Sequence, residues 1–249
     1  MKIASYNLWE SDAGMPERLC QITAELAAVQ ADIFCLQEVS RPIFEKLAPD
    51  YPASHLNESA GTAILSRYPL SDITDSEFAV SVAVSHGGSS FRIVCLHLPW
   101  KHASEREHAI VRLVRENETV STDYTLFAGD FNCTEQSSVH RFLMGEQSLH
   151  NTDAFFFDLA EAWSEITGKP ADVTLDFRNN PRWGIIDPPD TIQKSVRYDR
   201  ILLKNPYPQE FPVLRSFERF GTEASPITHL CASDHYGVAV NLIFPILSV

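Results

Sequence analysis

The chain has 249 residues, of which 44% are hydrophobic and 21% are charged, and its formal net charge is −13. A chain of this length holds a core without disulfides or a structural metal, and its composition is that of a soluble globular protein. The acidic charge argues against tight binding of duplex DNA, which needs a basic face, but it leaves open a small or single-stranded phosphate substrate that meets a bound cation.

The predicted elements begin as alternating strands and helices and then become mostly strands. In chain order they are a strand at 2–9, a helix at 15–30, a strand at 32–37, a helix at 40–48, strands at 61–66, 77–86 and 90–98, a helix at 103–118, a strand at 123–129, helices at 136–145 and 158–167, and strands at 197–203, 211–217 and 236–244. Gly87-Gly88 predicts a hairpin between the strands on either side of it. Ser40 is a candidate N-cap, with Pro42 near the start of that helix.

Too many adjacent strands lack an intervening helix for a doubly wound parallel sheet. The order instead predicts two packed sheets with helices on both outer faces. We find no repeat, low-complexity tract or Gly/Ser linker, and therefore expect a single domain over residues 1–249. The segment 168–196 is rich in Pro, Asp and Asn, which predicts a long functional loop.

The five cysteines are scattered, odd in number and never arranged as CxxC. Cys20, Cys35 and Cys95 have apolar neighbours, which predicts buried free thiols and a reducing compartment. No secretory signal follows Met1, and no stretch is long and apolar enough to cross a bilayer. We expect a cytoplasmic monomer that does not bind membranes.

Two polar residues occur where apolar strands end near the N-terminus. Asn7 lies in Ser-Tyr-Asn-Leu-Trp, and a buried Asn must have hydrogen-bond partners. Glu38 closes Phe-Cys-Leu-Gln-Glu-Val, and a carboxylate there is costly unless it is paired or bound to a metal. A Glu facing water and a structural Asn are the alternatives. The functional interpretation is an oxygen ligand for a hard cation such as Mg²⁺.

Two further strand ends carry His97, Asp130 and Asn132. His97 alternates with Cys95, so the two share one side of the strand, and a core histidine is the alternative. Asp130 and Asn132 follow an apolar strand and Gly129, which would let the backbone turn sharply. Asp130 could take a proton from water or hold a metal-bound water, and Asn132 could donate to a phosphate oxygen. The alternative is an Asx turn that caps the following helix.

The last two motifs are Arg-Tyr-Asp-Arg-Ile-Leu, which carries Asp199, and Ser-Asp-His-Tyr, which carries Asp234 and His235. Asp234 is a second hard oxygen ligand. A protonated His235 could stabilise charge on phosphoryl oxygens if a carboxylate oriented it, and Asp199 is the candidate. A turn before the last strand and a surface ion pair are the alternatives. Together the motifs supply what metal-assisted attack of water on a phosphate requires.

In this order the motifs resemble those of the endonuclease/exonuclease/phosphatase superfamily, from about residue 2 to residue 244. The matching stretches are Tyr6-Asn7, Leu36-Gln37-Glu38-Val39, Gly61 to Pro69, His97-Leu98, Gly129-Asp130-Phe131-Asn132, Tyr198-Asp199-Arg200-Ile201 and Ser233-Asp234-His235. The resemblance implies a four-layer α/β/β/α sandwich of the DNase-I-like type.

The resemblance also implies roles for these residues. Glu38, supported by Asn7, would bind Mg²⁺ (or Mn²⁺), and Asp234 would complete the metal site or its water shell. Asp130 would activate or position the water, and Asn132 and His97 would touch the phosphate. The expected orienting partner of His235 is again Asp199.

Within the superfamily the chain is most similar to the tyrosyl-DNA phosphodiesterase type two branch. The stretches that carry this are Arg197 to Ile201, Ser233 to Gly237, His102 to Arg106, Gly168 to Pro170 and Thr174-Leu175-Asp176. It departs from that branch at Pro99-Trp100, where polar residues are usual, and at Leu175, where an aromatic is usual. Trp100, Trp183, Arg178 and Arg182 could supply stacking and positive charge for single-stranded DNA.

Three functions follow. The first is a Mg²⁺-dependent phosphodiesterase for nucleic acid 5′ ends, with single-stranded DNA as a candidate partner, and the branch-like motifs favour it. The second is a phosphatase or phosphodiesterase for a small metabolite, an inositol phosphate or a lipid headgroup, which the acidic charge favours. The third, a non-catalytic binding module, ranks last because all the mapped positions are intact.

Overall fold

The strands in the computed structural model, which describes residues 1–183 and 192–245, form two six-stranded sheets. They are β1 (Lys2–Asn7), β2 (Ile33–Gln37), β3 (Ala53–Asn57), β4 (Thr62–Ser66), β5 (Ser71–Ser76), β6 (Ala79–His86), β7 (Ser89–His97), β8 (Tyr124–Asp130), β9 (Phe156–Asp158), β10 (Asp199–Lys204), β11 (Val213–Phe220) and β12 (Gly237–Ile243). The first sheet has the order β11-β12-β1-β2-β4-β3, and the second has the order β5-β6-β7-β8-β10-β9.

Helices cover the outer face of each sheet. They are α1 (Glu17–Val29), α2 (Arg41–Leu47), α3 (Ala103–Glu118), α4 (Ser138–Leu143) and α5 (Leu159–Thr167), with 3₁₀ turns at Ala48–Asp50 and Pro181–Trp183. The apolar faces of α1 and α2 pack on the first sheet, and those of α3 and α4 pack on the second. The result is the predicted four-layer α/β/β/α sandwich.

The alternation of side chains along each strand builds the layer between the two sheets. In β8, for example, Leu126 and Ala128 point into this central layer, whereas Phe127 points to the helices. Parallel pairing of β1 with β2 and of β7 with β8 brings the carboxyl ends of these strands to one edge of the sandwich. Alternate residues of each strand point between the two sheets, and where this set of residues extends beyond the apolar core it is polar. These polar side chains therefore meet at that edge.

Three short strands were not predicted, namely β3, β5 and β9. Most of β5 is exposed and it lies at the edge of its sheet, so no apolar alternation marks it. The other two also lie at sheet edges and are five and three residues long. The predicted hairpin at Gly87-Gly88 is confirmed, because His86 pairs with Ser89 and both glycines have positive φ.

Three local predictions are wrong in detail. Cys20 is exposed, because it lies on the face of α1 opposite the buried Ile22 and Leu26, whereas Cys35 and Cys95 are buried as predicted. Gly129 makes no sharp turn and lies within β8, where a Cβ would come 1.9 Å from the Leu96 carbonyl oxygen. Ser40 occupies the N-cap position of α2, but its side chain makes no capping hydrogen bond.

The segment 168–196 is largely loop where it is described, and residues 184–191 lie outside the described residues. Its ends are tied together by an antiparallel bridge between Leu175 and Val196. Within residues 1–183 and 192–245 no helix is long and apolar enough to span a bilayer.

Candidate active site

The predicted site residues converge at the edge of the sandwich where β1, β2, β7 and β8 end. His97 continues the inward row of Cys95, and Asp130 continues that of Ala128. The two ends lie side by side, because His97 and Asp130 are register partners. Asp199 pairs with Asp130 from the antiparallel β10. Strand periodicity therefore collects residues that are far apart in sequence.

Asn7 is fully buried at the end of β1 and connects two carboxylates. Its Nδ2 donates to Glu38 Oε1 at 3.0 Å and to Asp130 Oδ2 at 3.1 Å. Its Oδ1 accepts from the backbone N–H of Trp9 at 2.9 Å, which fixes the orientation of the amide. Asn7 thus turns its donor, not its oxygen, towards the centre of the site, and its geometry is that of a group that orients Glu38 and Asp130.

Glu38 and Asp234 are two carboxylates of the site whose charges act on each other. The backbone of Glu38 has a φ of 55°, which redirects its side chain at the end of β2, and its Oε2 accepts from the N–H of Glu10 at 2.7 Å. Burial and the negative charge of Glu38 raise the pKa of Asp234 to about 6, although His235 opposes this shift. A divalent cation with oxygen ligands would relieve the repulsion between these two carboxylates, so the donor set fits Mg²⁺ or Mn²⁺.

His235 and Asp199 form a buried pair on the other side of Asp130. His235 Nδ1 lies 2.9 Å from Asp199 Oδ2, and its Nε2 lies 3.9 Å from Asp130 Oδ2. Burial alone would lower the pKa of His235, but the charge and hydrogen bond of Asp199, aided by Asp130 and Asp234, raise it to about 10. The imidazole is therefore a cation at neutral pH, and its Nε2 can donate to an anion.

Ligand atoms of Asp130, Asp199 and His235 also lie within 4.8 Å of one another, which is a spacing that could hold a metal. Chemistry argues against a metal there. His235 already uses Nδ1 for Asp199, and a protonated imidazole has no lone pair to offer. In the arrangement that fits this chemistry, Glu38 and Asp234 would hold the cation, and Asp130, Asp199 and His235 would handle protons.

His97 lies between the two halves of the site, with Nε2 at 3.9 Å from Glu38 Oε1 and 3.7 Å from Asp130 Oδ2. Asn132 donates two hydrogen bonds to neighbouring strand ends. Its N–H donates to Asp130 Oδ1 at 2.8 Å, and its Nδ2 donates to the Leu98 carbonyl at 2.9 Å. Asp130 and Asn132 thus form an Asx turn, but it does not cap α4 as the alternative supposed, because the N-cap of α4 is Ser137. Any contact of Asn132 with a phosphate would use the second amide hydrogen.

Sequence reasoning gave no role to Ser233, and it placed Thr174 only in a loop resemblance. Ser233 Oγ donates to the Asn7 carbonyl at 2.7 Å and accepts from the N–H of His235 at 3.2 Å. It therefore links the end of β1 to the loop that carries Asp234 and His235. Thr174 Oγ1 accepts from the N–H groups of Tyr198 and Asp199 at 3.0 and 3.1 Å. The sequence offered one indication of each residue, since Ser233 lies in the Ser-Asp-His-Tyr motif and Thr174 lies in the stretch Thr174-Leu175-Asp176.

The rim beyond His97 carries an exposed aromatic ring. Trp100 is 69% exposed, and Lys101 Nζ lies 5.3 Å from its ring centroid. Arg106 Nη1 donates to the carbonyls of Pro99 and Trp100 at 3.0 and 2.9 Å, which anchors the backbone below the ring. Trp100 follows His97 by three residues, so their Cα atoms are at most about 11 Å apart.

The model of the endonuclease/exonuclease/phosphatase family matches residues 4–235 of the chain. YbhP of Escherichia coli is 25% identical over 179 residues, which cover 56% of this chain and 69% of that protein. Among solved structures, TDP2 of D. rerio complexed with single strand DNA product has a TM-score of 0.71 at 19% identity, with 96% of this chain and 97% of that chain covered. An endonuclease/exonuclease/phosphatase from Bacteroides vulgatus has a TM-score of 0.73 at 16% identity, with 98% of both chains covered.

Proposed function

Since this chain belongs to the endonuclease/exonuclease/phosphatase family, we propose that it is a Mg²⁺-dependent phosphodiesterase that acts on nucleic acid 5′ ends. One observation carries the proposal. His235, which its raised pKa keeps cationic, is held by Asp199 at 2.9 Å, and its Nε2 lies 3.9 Å from an oxygen of Asp130. Asp130 shares the Asn7 amide with Glu38, and the charge of Glu38 acts on Asp234. That is the arrangement needed to bind a phosphate, offset its charge and activate water against it.

Glu38 and Asp234 would hold the cation, Mg²⁺ or Mn²⁺, which supplies positive charge to a phosphoryl oxygen when it is bound. Asn7 keeps Glu38 in place through the 3.0 Å hydrogen bond from its amide. The same amide donates to Asp130, which leaves that carboxylate oriented as an acceptor for the proton of an attacking water.

His235 would donate from Nε2 to a non-bridging oxygen as negative charge grows on the phosphoryl group. Asp199 fixes the proton on Nδ1 and keeps the ring cationic, so this donor needs no reorganisation during the reaction. His97, one fifth exposed, offers a second donor from the opening of the site. Asn132 supports this arrangement by holding the turn after β8.

The rim favours a substrate with an aromatic group beside the scissile phosphate. Nucleobases and a phosphotyrosyl group both present a ring that Trp100 can stack on, and Lys101 can meet a neighbouring phosphate. The solved relative that is complexed with single strand DNA product supports the same class. The net charge of −13 favours the second candidate, a small phosphorylated metabolite.

The first experiment uses a 5′-phosphotyrosyl single-stranded oligonucleotide with Mg²⁺, with products resolved on a gel. We expect conversion to a 5′-phosphate end by the wild-type protein, and no conversion in EDTA until Mg²⁺ or Mn²⁺ is restored. Asp234→Asn and His235→Ala should each lower the rate by at least about 100-fold.

The matched control is Asp75→Asn, which alters an exposed aspartate on the β5 edge and should retain full activity. Conversion that persists in EDTA would refute the metal assignment. Full activity of Asp234→Asn or His235→Ala would refute the site. An intact oligonucleotide would shift the substrate to a small phosphorylated metabolite.

A further inference from the structure

The loop that carries Asp234 takes its backbone hydrogen bonds from side chains of other segments. Four consecutive carbonyls, from residue 231 to residue 234, each accept from a different side chain. The bonds are Arg182 Nε to the Cys231 carbonyl at 3.0 Å, Arg18 Nη1 to the Ala232 carbonyl at 3.3 Å, Asn180 Nδ2 to the Ser233 carbonyl at 3.0 Å and Trp183 Nε1 to the Asp234 carbonyl at 3.0 Å. We call these four donors the carbonyl clamp.

Three of the four donors come from one short turn, Asn180 and the 3₁₀ turn Pro181–Trp183. Asn180 is 2% exposed, and its Oδ1 accepts from the N–H of Arg182 at 3.0 Å. The Trp183 ring packs edge-on against Phe177 with centroids 4.7 Å apart. The turn is therefore internally ordered before it reaches the Asp234 loop.

The fourth donor, Arg18, links the clamp to the start of the chain. Arg18 is 2% exposed and also donates to the Leu8 carbonyl at 2.6 Å. The guanidinium groups of Arg18 and Arg182 lie 5.3 and 4.9 Å from the centroid of the Trp9 ring. Since Trp9 is two residues beyond Asn7, the clamp joins the Asp234 loop to the segment that orients Glu38.

A hydrogen bond to a carbonyl fixes the rotation of its peptide plane, and this sets the direction of the side chains on both sides. Holding the Asp234 carbonyl therefore directs both Asp234 and His235. Such a hold is needed because Asp234 faces another carboxylate, Glu38, and repulsion between them would drive the loop outwards.

We propose that Asn180, Arg182, Trp183 and Arg18 are positioning residues that hold the loop in the conformation in which Asp234 and Glu38 bind one cation together. The inference rests on the proposed function through the assignment of these two carboxylates to the metal. It gives the turn from Asn180 to Trp183 a structural task at the site that does not require contact with substrate.

The sharpest variant is Trp183→Phe, which keeps an aromatic ring next to Phe177 but removes the pyrrole part of the indole with the N–H that reaches the Asp234 carbonyl. We expect the dissociation constant for Mn²⁺, measured by calorimetry without substrate, to rise about fivefold, the effect of losing one hydrogen bond. The matched control is Trp163→Phe in α5, which should bind Mn²⁺ like the wild-type protein. The second test compares Arg182→Met with Arg182→Lys, which restores one donor and should recover part of the affinity.

A purely structural role would lower thermal stability in EDTA, so the melting temperature is measured alongside. We expect Trp183→Phe to melt within about 4 °C of the wild-type protein in EDTA, which is the shift that the loss of one hydrogen bond produces in a domain of this size. An unchanged Mn²⁺ affinity in Trp183→Phe overturns the inference and leaves the proposed function standing. A wild-type protein that binds no Mn²⁺ overturns the metal assignment and the inference with it.

Discussion

Each acidic side chain at the site has a neighbour that determines what it can do. Glu38 and Asp130 accept from the same Asn7 amide, which orients both without neutralising either. Asp199 instead faces a histidine in a fully buried pair. Under the proposed function, Glu38 and Asp130 would receive metal or protons, whereas Asp199 would keep His235 charged.

Asp199→Asn should remove the charge that holds the proton on His235 while keeping the shape of the side chain. Burial would then dominate, and the pKa of His235 should fall from about 10 to below neutrality. We expect the rate with saturating Mg²⁺ to fall about 100-fold at pH 8 and by less at pH 6, where part of the imidazole is protonated. A profile of kcat against pH measures this, and a variant profile parallel to that of the wild-type protein would contradict it.

The pair of Asp199 and His235 also affects the free energy of unfolding. The direction in which this contribution changes with pH follows from the raised pKa of His235. A histidine whose folded pKa exceeds its unfolded value contributes stability that is fully present below about pH 6.5. That contribution is lost as the pH rises through about 10. Asp75→Asn, which breaks the exposed pair of Asp75 with His55, is the matched control and should change neither profile.

Sequence motifs indicated the residues at the strand ends but not the clamp. The motifs contain polar side chains at the ends of apolar strands, and such residues stand out in the sequence itself. Three of the clamp's hydrogen bonds reach carbonyls 49 to 53 residues away, the bond from Arg18 reaches one 214 residues away, and every residue has a carbonyl. Nothing in the pattern around Asn180 or Trp183 therefore indicates which atoms they hold.

At the scale of elements, the strands inside the two sheets were predictable, whereas of the edge strands β3, β5, β9 and β11 only β11 was predicted. β2 and β8 are mostly apolar runs that end in polar residues. The hydrophobic pattern and the polar end residues therefore both indicate where each strand lies. β5 is almost wholly exposed, and its Ser, Asp and Thr residues carry no alternation. It forms because β6 offers it a hydrogen-bonding edge, which is a tertiary cause that a single segment does not show.

The pairing of β7 with β8 beneath the site depends on a glycine. Gly129→Ala should lower the free energy of unfolding by at least about 2 kcal/mol, because the new Cβ would meet the Leu96 carbonyl within a ladder that is paired on both sides. Urea unfolding of the variant measures this loss.

Gly87→Ala is the control for that measurement. A Cβ at Gly87 has open space around it, so only its positive φ opposes the change, at a cost of about 1 kcal/mol. Equal losses in the two variants would show that backbone conformation, not the close approach of β7 and β8, is what requires a glycine at position 129.

The whole molecule has a negative net charge, although its proposed site would bind an anion. Two sheets contribute opposite walls of this site, with Glu38 and Asp234 from the first and Asp130 and Asp199 from the second. Under the proposed function, a cation held by Glu38 and Asp234 and the imidazole of His235 would supply the positive charge at the centre. Since the net charge is −13, little of the affinity for a nucleic acid would come from a long basic groove.

The salt dependence of turnover on the phosphotyrosyl oligonucleotide therefore has an expected size. With Mg²⁺ held at saturation, log(kcat/KM) should fall against log[KCl] with a slope of about −1, which corresponds to one or two neutralised phosphates of a single strand. Lys101→Ala should make this slope shallower by about 0.7 if its ammonium meets one of them, whereas Lys46→Ala on α2 should not change it. A slope of about −4 or steeper would instead require an extended basic track along the strand, and it would contradict recognition confined to the end of the nucleic acid.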